Sequence, residues 1–124
     1  MISKDLWDVK FAAEGLEDLL EIIQYILEND GVGNARELST LIQTDAKKRL
    51  TTLPSRGHLV PELEYVDQEC REIHIKSYRI IYQPVEADHT VWILLVAHAR
   101  RSIQNMLRNR ILHYPANRHL DDRG

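Results

Sequence analysis

Two stretches concentrate the side chains able to carry chemistry. Tyr78-Arg79-Ile80-Ile81-Tyr82 holds one arginine inside an apolar run, and His98-Ala99-Arg100-Arg101 groups an imidazole with two guanidiniums. Arg71 precedes the first stretch and Arg108 follows the second. A guanidinium offers a planar fork of donors to phosphate or carboxylate, so clustered arginines suit a phosphate-bearing or acidic partner. A solvated helix face is the plainer reading of the same cluster. A histidine with an ordinary pKa of about 6.5 exchanges protons near neutral pH, yet nothing in the sequence sets a partner beside His98. Arg79 has a structural use as well, pairing with Glu72 across a hairpin for about 0.2–1 kcal/mol. His58, His74, His89, His98, His113 and His119 lack the spacing of a metal site, so neither metal nor cofactor is expected. Cys70 is the lone cysteine and lies in a strand-like run, which suits a buried thiol without a disulfide. Trp92, in a run that is apolar throughout, reads as core rather than as a base-stacking platform.

These residues need elements to position them. Val9-Lys10-Phe11-Ala12 alternates as a short strand. From about Ala13 to Asn29, Leu16, Leu19, Leu20, Ile23, Ile26 and Leu27 recur at three and four, and Glu14, Glu17, Asp18 and Glu21 place acids near the positive end of a helix. Asp30-Gly31-Val32-Gly33 stops it. Leu38, Leu41, Ile42, Ala46, Leu50 and Leu53 then restart the period until Pro54, predicting a helical hairpin. The segment from Pro54 to Pro61 reads as a shaped loop. Arg71-Glu72-Ile73-His74-Ile75 alternates, Lys76-Ser77 interrupts, and Tyr78 to Gln83 resumes as a second strand closing at Pro84. Val91 to Ala97 is apolar on both faces, as a central strand should be. Ser102 can cap a last helix carrying Ile103, Met106, Leu107, Arg108, Arg110, Ile111 and Leu112, and a polar tail follows from His113.

The expected fold is α+β: an N-terminal strand and a two-helix hairpin packed on one face of a small antiparallel sheet, with a short C-terminal helix. Residues 1–112 form the expected domain and 113–124 the polar C-terminal tail. Burying Ile73 and Ile75 under the helices sends Glu72 and His74 to the opposite face, and burying Tyr78, Ile80 and Tyr82 sends Arg79 there. That far face, unless the last helix or a partner covers it, is where function is expected, with Arg79 and the Arg100-Arg101 pair sharing accessible surface.

Composition narrows the class. With 44% hydrophobic and 28% charged residues, the chain falls with ordinary globular proteins rather than disordered or membrane ones. Met1 to Asp8 carries charges where a signal peptide needs an apolar run, and a cytoplasmic location is expected. The net charge of -3 is uneven. Residues 1–30 hold Lys4 and Lys10 against eight acids, giving -6, whereas residues 98–124 hold six arginines against Asp121 and Asp122, giving +4.

Taken in order, the helix pair, Leu53-Pro54 with Gly57, Val60-Pro61-Glu62-Leu63, Arg71-Glu72-Ile73, Tyr78-Arg79-Ile80-Ile81-Tyr82 and Val96-Ala97-His98-Ala99-Arg100-Arg101 resemble the RelE/ParE toxin superfamily over roughly residues 7 to 105. The resemblance implies the toxin of a type II toxin–antitoxin system, neutralised by a cognate antitoxin and meeting operator DNA only through it. RelE-like members are ribosome-dependent endoribonucleases that cleave mRNA, whereas ParE-like members poison DNA gyrase without known catalysis. For a nuclease, the resemblance assigns catalysis to Arg79, His98 and Arg101. For target or antitoxin binding it points to Arg71, Arg79, Arg100, Arg101 and Arg108. Positions that resemble the basic pair of RelE are here Glu72 and His74, and a carboxylate opposes the charge that develops on a scissile phosphate. Ile103, Gln104 and Asn105 stand where a late tyrosine is expected. The loop after the hairpin and the His-x-Arg-Arg ending are similar to ParE-like sequences, so gyrase inhibition is the favoured expectation and mRNA cleavage the alternative.

Overall fold

The computed structural model describes residues 6–63 and 69–110; the tail 113–124, with Ile111 and Leu112 of the expected last helix, lies outside the described residues. Strand β1 (Asp8–Phe11) leads into helix α1 (Ala13–Asp30). Gly31, at φ 98°, turns the chain in a backbone region that L side chains rarely adopt, and its N–H donates to the Ile26 carbonyl at 3.0 Å. Helix α2 (Val32–Thr40), a π turn (Leu41–Ala46) and helix α3 (Lys47–Thr52) follow without a break. The second helix therefore starts at Val32, ahead of Leu38, because its first turns bury only Ala35 and show no apolar period. Leu38, Ile42, Ala46 and Leu50 are buried at intervals of four. Four α-helical residues overshoot a turn by about 40°. The wider π turn offsets part of that drift and keeps the stripe on the sheet.

After Pro54 come a 3-10 turn (Pro54–Arg56), β2 (His58–Leu59), a second 3-10 turn (Pro61–Leu63), β3 (Arg71–Ile75), β4 (Tyr78–Val85) and β5 (Thr90–His98). Residues 104–110 form helix α4. The sheet order is β1-β5-β4-β3-β2. The expectation of an antiparallel sheet needs one correction, since β1 runs parallel to β5, from Asp8 opposite Thr90 to Phe11 opposite Ile93. The loop expected between Pro54 and Pro61 also contributes β2. Strand β4 continues through Pro84, where β3 has ended and β5 is its only partner among the described residues, so the missing donor is tolerated.

Two apolar layers flank this sheet. Leu19, Leu38, Ile42 and Leu50 cover Ile73, Ile75, Ile80, Tyr82, Val91, Ile93 and Val96 on one side. On the other lie Val60, Cys70, Ile81, Leu94, Leu95, Ala97, Ile103 and Leu107, with half-buried Trp92 against them. A bulge makes this possible. Ile81 faces Leu95 but Tyr82 faces Ile93, so Leu94 is extra and both leucines turn to the second layer. Ile103 and Leu107, 1% and 0% exposed, seat α4 on that layer. Burying such a side chain contributes roughly 1.5–3 kcal/mol. No described helix is long and apolar enough to cross a membrane.

Tyr82 ties the core to the loop. Its buried hydroxyl donates to the Pro54 carbonyl at 2.6 Å and accepts from the Gly57 N–H at 2.9 Å. Gly57 has no space for a side chain, as a Cβ there would lie 2.4 Å from the Glu72 carbonyl oxygen and 2.6 Å from the Tyr82 hydroxyl. Tyr82→Phe leaves both backbone groups without their partner, so a loss of about 1–3 kcal/mol is expected. Urea denaturation should show a lower midpoint at constant slope, whereas an unchanged midpoint would remove the latch from the account.

Candidate functional site

Strand parity places Glu72, His74 and Arg79 opposite the helices, as the alternation of β3 and β4 predicts, but that face is not bare. The 3-10 turn at Pro61–Leu63 brings Glu62 over Arg79. The guanidinium donates to Glu62 through Nη1 and Nη2 at 2.8 Å each, and to Glu72 through Nε at 2.6 Å and Nη2 at 3.2 Å. Arg79 is 8% exposed and Glu72 2%. Burial opposes ionisation of Glu72, yet the hydrogen bond and charge of Arg79, helped by His58 and His74, hold its carboxyl below the ordinary range. Glu62 is held low mainly by its Arg79 hydrogen bond. Both carboxylates, Glu62 first, raise the Arg79 guanidinium further still. His58, directly across from Glu72 in the β2–β3 pairing, contacts it at 3.0 Å through Nε2, and His74 Nε2 lies 3.4 Å from its other oxygen.

The second cluster was not foreseen. Beyond Ile93, β5 has no strand neighbour on the β1 side among the described residues. Ala12 N–H donates to the Ile93 carbonyl at 2.9 Å, Arg110 Nη1 to the Leu94 carbonyl at 2.9 Å, and Val96 N–H to Asp18 Oδ2 at 3.0 Å. Arg110 also grips both oxygens of Asp18, at 2.6 and 3.1 Å. Gly15 lets α1 approach this closely, since a Cβ there would lie 2.4 Å from the Ile93 carbonyl oxygen. A glycine one turn ahead of an acid on an apolar helix face is the sequence signal that could have marked Asp18.

At the end of the sheet a cavity of about 260 Å³ is lined by Glu21, Ile22, Tyr25, Tyr78, Ala97, His98 and Arg101. The His98 ring meets Tyr78 edge-on at 5.6 Å, and its Nδ1 accepts from the Arg100 N–H at 3.1 Å. Burial, reinforced by Asp30 and Tyr25, raises the Tyr78 hydroxyl above its ordinary pKa. His98, Arg100, Arg101 and Arg108 are exposed. Helix α1 exposes Leu16, Leu20 and Leu27 by 43%, 56% and 40%, and Tyr25, which lines the cavity, by 66%. Its apolar period is therefore wider than the face it buries.

The arginines do not form the single surface expected of them. Arg79 is turned into its two carboxylates, and Arg71 donates to the Gly57 carbonyl and to Glu69, each at 2.7 Å, holding the loop. His98, Tyr78 and Arg101 are brought together, and Arg79 is not among them.

The family model described as "ParE toxin of type II toxin-antitoxin system, parDE" matches residues 9–103. No curated protein matches the sequence. Among solved structures, the chain is similar to the chromosomal ParDE toxin–antitoxin system of P. aeruginosa, with TM-score 0.60, 15% identity, and 77% and 99% of the respective chains covered. A RelBE toxin–antitoxin complex from Mycobacterium tuberculosis gives 0.52, 20%, 75% and 91%. A mutant of E. coli toxin RelE in the free state gives 0.52, 16%, 82% and 92%. At these identities the likeness is one of fold.

The depressed carboxyls set a pH dependence. A carboxyl with a lowered folded pKa stabilises fully above its ordinary value of 4.5, and that contribution disappears as pH falls through the lowered value. Arg79→Met, which strands two carboxylates, is expected to lose about 3–5 kcal/mol at neutral pH. Denaturant titrations should show the gap from wild type narrowing below about pH 4.5 as the carboxyls protonate. A gap independent of pH would mean that the ion network contributes nothing through charge.

Proposed function

The chain belongs to the ParE toxin family of type II toxin–antitoxin systems, and from that premise we propose that it arrests growth without catalysis, by ParE-like inhibition of DNA gyrase, until a cognate antitoxin covers it. The observation that carries this reading is the capture of Arg79. In the nuclease branch that the sequence resembles, the corresponding strand arginine contacts RNA. Here one positive charge faces two negative ones, Glu62 and Glu72, at 2.8 and 2.6 Å. A site with that balance disfavours a charged phosphorane-like state rather than stabilising it. The chain's net charge of -3 also works against the counterion release that drives binding to ribosomal RNA.

The exposed groups suit protein partners. Leu16, Leu20 and Leu27 on α1 match a helix or extended segment of an antitoxin with apolar side chains, and Arg100, Arg101 and Arg108 match acids of that antitoxin. Operator DNA is then met only through the antitoxin. A second reading, ribosome-dependent cleavage of mRNA, draws support from one observation: His98, Tyr78 and Arg101 line a common cavity.

Purified protein added to a gyrase supercoiling assay and to a cell-free translation reaction separates the two. Supercoiling should be blocked while message stays intact. Site-specific message cleavage that disappears in His98→Ala and Arg101→Ala would replace the gyrase reading with the nuclease one. For the antitoxin, Leu20→Glu changes a side chain that is 56% exposed, so the fold should survive by circular dichroism. Its complex with the antitoxin is expected to weaken by roughly tenfold or more, about 1.4 kcal/mol. Unchanged affinity would move the docking surface off α1.

A further inference from the structure

We propose that His58, Glu72 and His74 form a binding site for a divalent transition metal ion of the zinc class, at the outer edge of the sheet. The backbone sets the arrangement. His58 and Glu72 are directly opposed in the β2–β3 ladder, and His74 follows Glu72 by two residues on the same face of β3. The ligand atoms all lie within 4.8 Å of one another. Two of the separations are 3.0 Å, from His58 Nε2 to Glu72 Oε2, and 3.4 Å, from His74 Nε2 to Glu72 Oε1. Ligands at about 2.0–2.2 Å from a tetrahedral zinc ion stand roughly 3.3–3.5 Å apart, so each imidazole already sits near that spacing from its own oxygen of Glu72, and sharing one of those oxygens needs the other ring to close from within 4.8 Å. The two imidazoles already meet edge-on at 5.6 Å between ring centres, and their side chains are 63% and 52% exposed. Small ring rotations therefore complete the set, and the solvent side leaves a fourth position for water.

The surroundings favour a cation. Arg79 contributes one positive charge against the carboxylates of Glu62 and Glu72, leaving one negative charge over the cluster. The Arg79 Nε bond at 2.6 Å fixes the plane of the Glu72 carboxylate while lone pairs on both oxygens remain for other partners, the role outer-shell groups play in metal sites. Two imidazoles with one carboxylate suit zinc, cobalt, nickel or copper over magnesium or calcium. Strand β2 is held by two residues of pairing, and a metal bridging His58 to β3 would clip it down. The six histidines have no metal-site spacing along the chain because the ligands are brought together by a strand pairing rather than by a local motif.

The test uses the full chain without a histidine tag. Titration with zinc chloride by calorimetry and with cobalt chloride by visible absorption should show one ion per chain, with magnesium chloride inert. Outer-shell groups alone are worth about 10–100-fold in metal affinity, so His58→Ala and His74→Ala should each weaken zinc binding by roughly tenfold or more. Both side chains are exposed, and circular dichroism checks that the variants remain folded. Zinc should raise the melting temperature of the wild type and not of the His58→Ala/His74→Ala double variant. Absence of binding, or equal zinc affinity in the double variant, would overturn the site, because any ion then held would sit elsewhere.

Discussion

Backbone amides and carbonyls shut away from water need partners, and in this protein the strand with the greatest need is β5. Both faces are buried, β4 lies along one edge, and β1 covers the other only as far as Ile93. Past that residue the edge is finished by parts that are not strand: the Ala12 amide, the Asp18 carboxylate and the Arg110 guanidinium. This sealing dictates the rest. Gly15 has to lack a side chain for α1 to lie close enough, and α4 has to dock where Arg110 reaches Asp18. The cavity around His98 opens where the sealing ends, between α1 and the last residues of β5.

Charge is distributed around that frame in two ways. At the β2–β3 edge it is engaged internally, with Arg79 held between Glu62 and Glu72, a net negative charge left over, and Arg71 spent on the loop. At the far end of β5 it is left exposed, on Arg100, Arg101 and Arg108. A buried ion pair of the first kind is weak evidence for stability, since desolvation costs offset much of the attraction. It does fix geometry, because a carboxylate locked to a guanidinium has few places to go. The exposed arginines have the opposite character, with no second charge among the described residues locking them in place and little cost to rearrange.

Much of this was legible where a side-chain period is clean. The alternation in Arg71-Glu72-Ile73-His74-Ile75 put Glu72 and His74 opposite the helices, and the Glu72–Arg79 pair followed from the same parity. Legibility failed where a period is absent or saturated. Val91 to Ala97 is apolar throughout, so no pattern shows that Leu94 and Leu95 share a face across a bulge. The turns from Val32 to Glu37 are polar because they bury little. Strand β2, with two residues, is too short to display alternation. Contacts such as Asp18 with Arg110, 92 positions apart, belong to topology, and no local rule reaches them. Burial of Arg79 depended on a turn, Pro61–Leu63, that carries Glu62 over it from outside the strand.

That turn has a wider meaning for how such a scaffold can diversify. The polarity of an entire sheet face is decided by acids at two positions, one on a strand and one on a short surface turn, while the backbone beneath is anchored independently through Gly57 and Tyr82. Exchange those two acids for neutral side chains and the same architecture presents an uncompensated guanidinium; keep them, and its charge is outweighed. Molecules of one shape can thus diverge in what they attack through a pair of point changes, without any rebuilding of the fold.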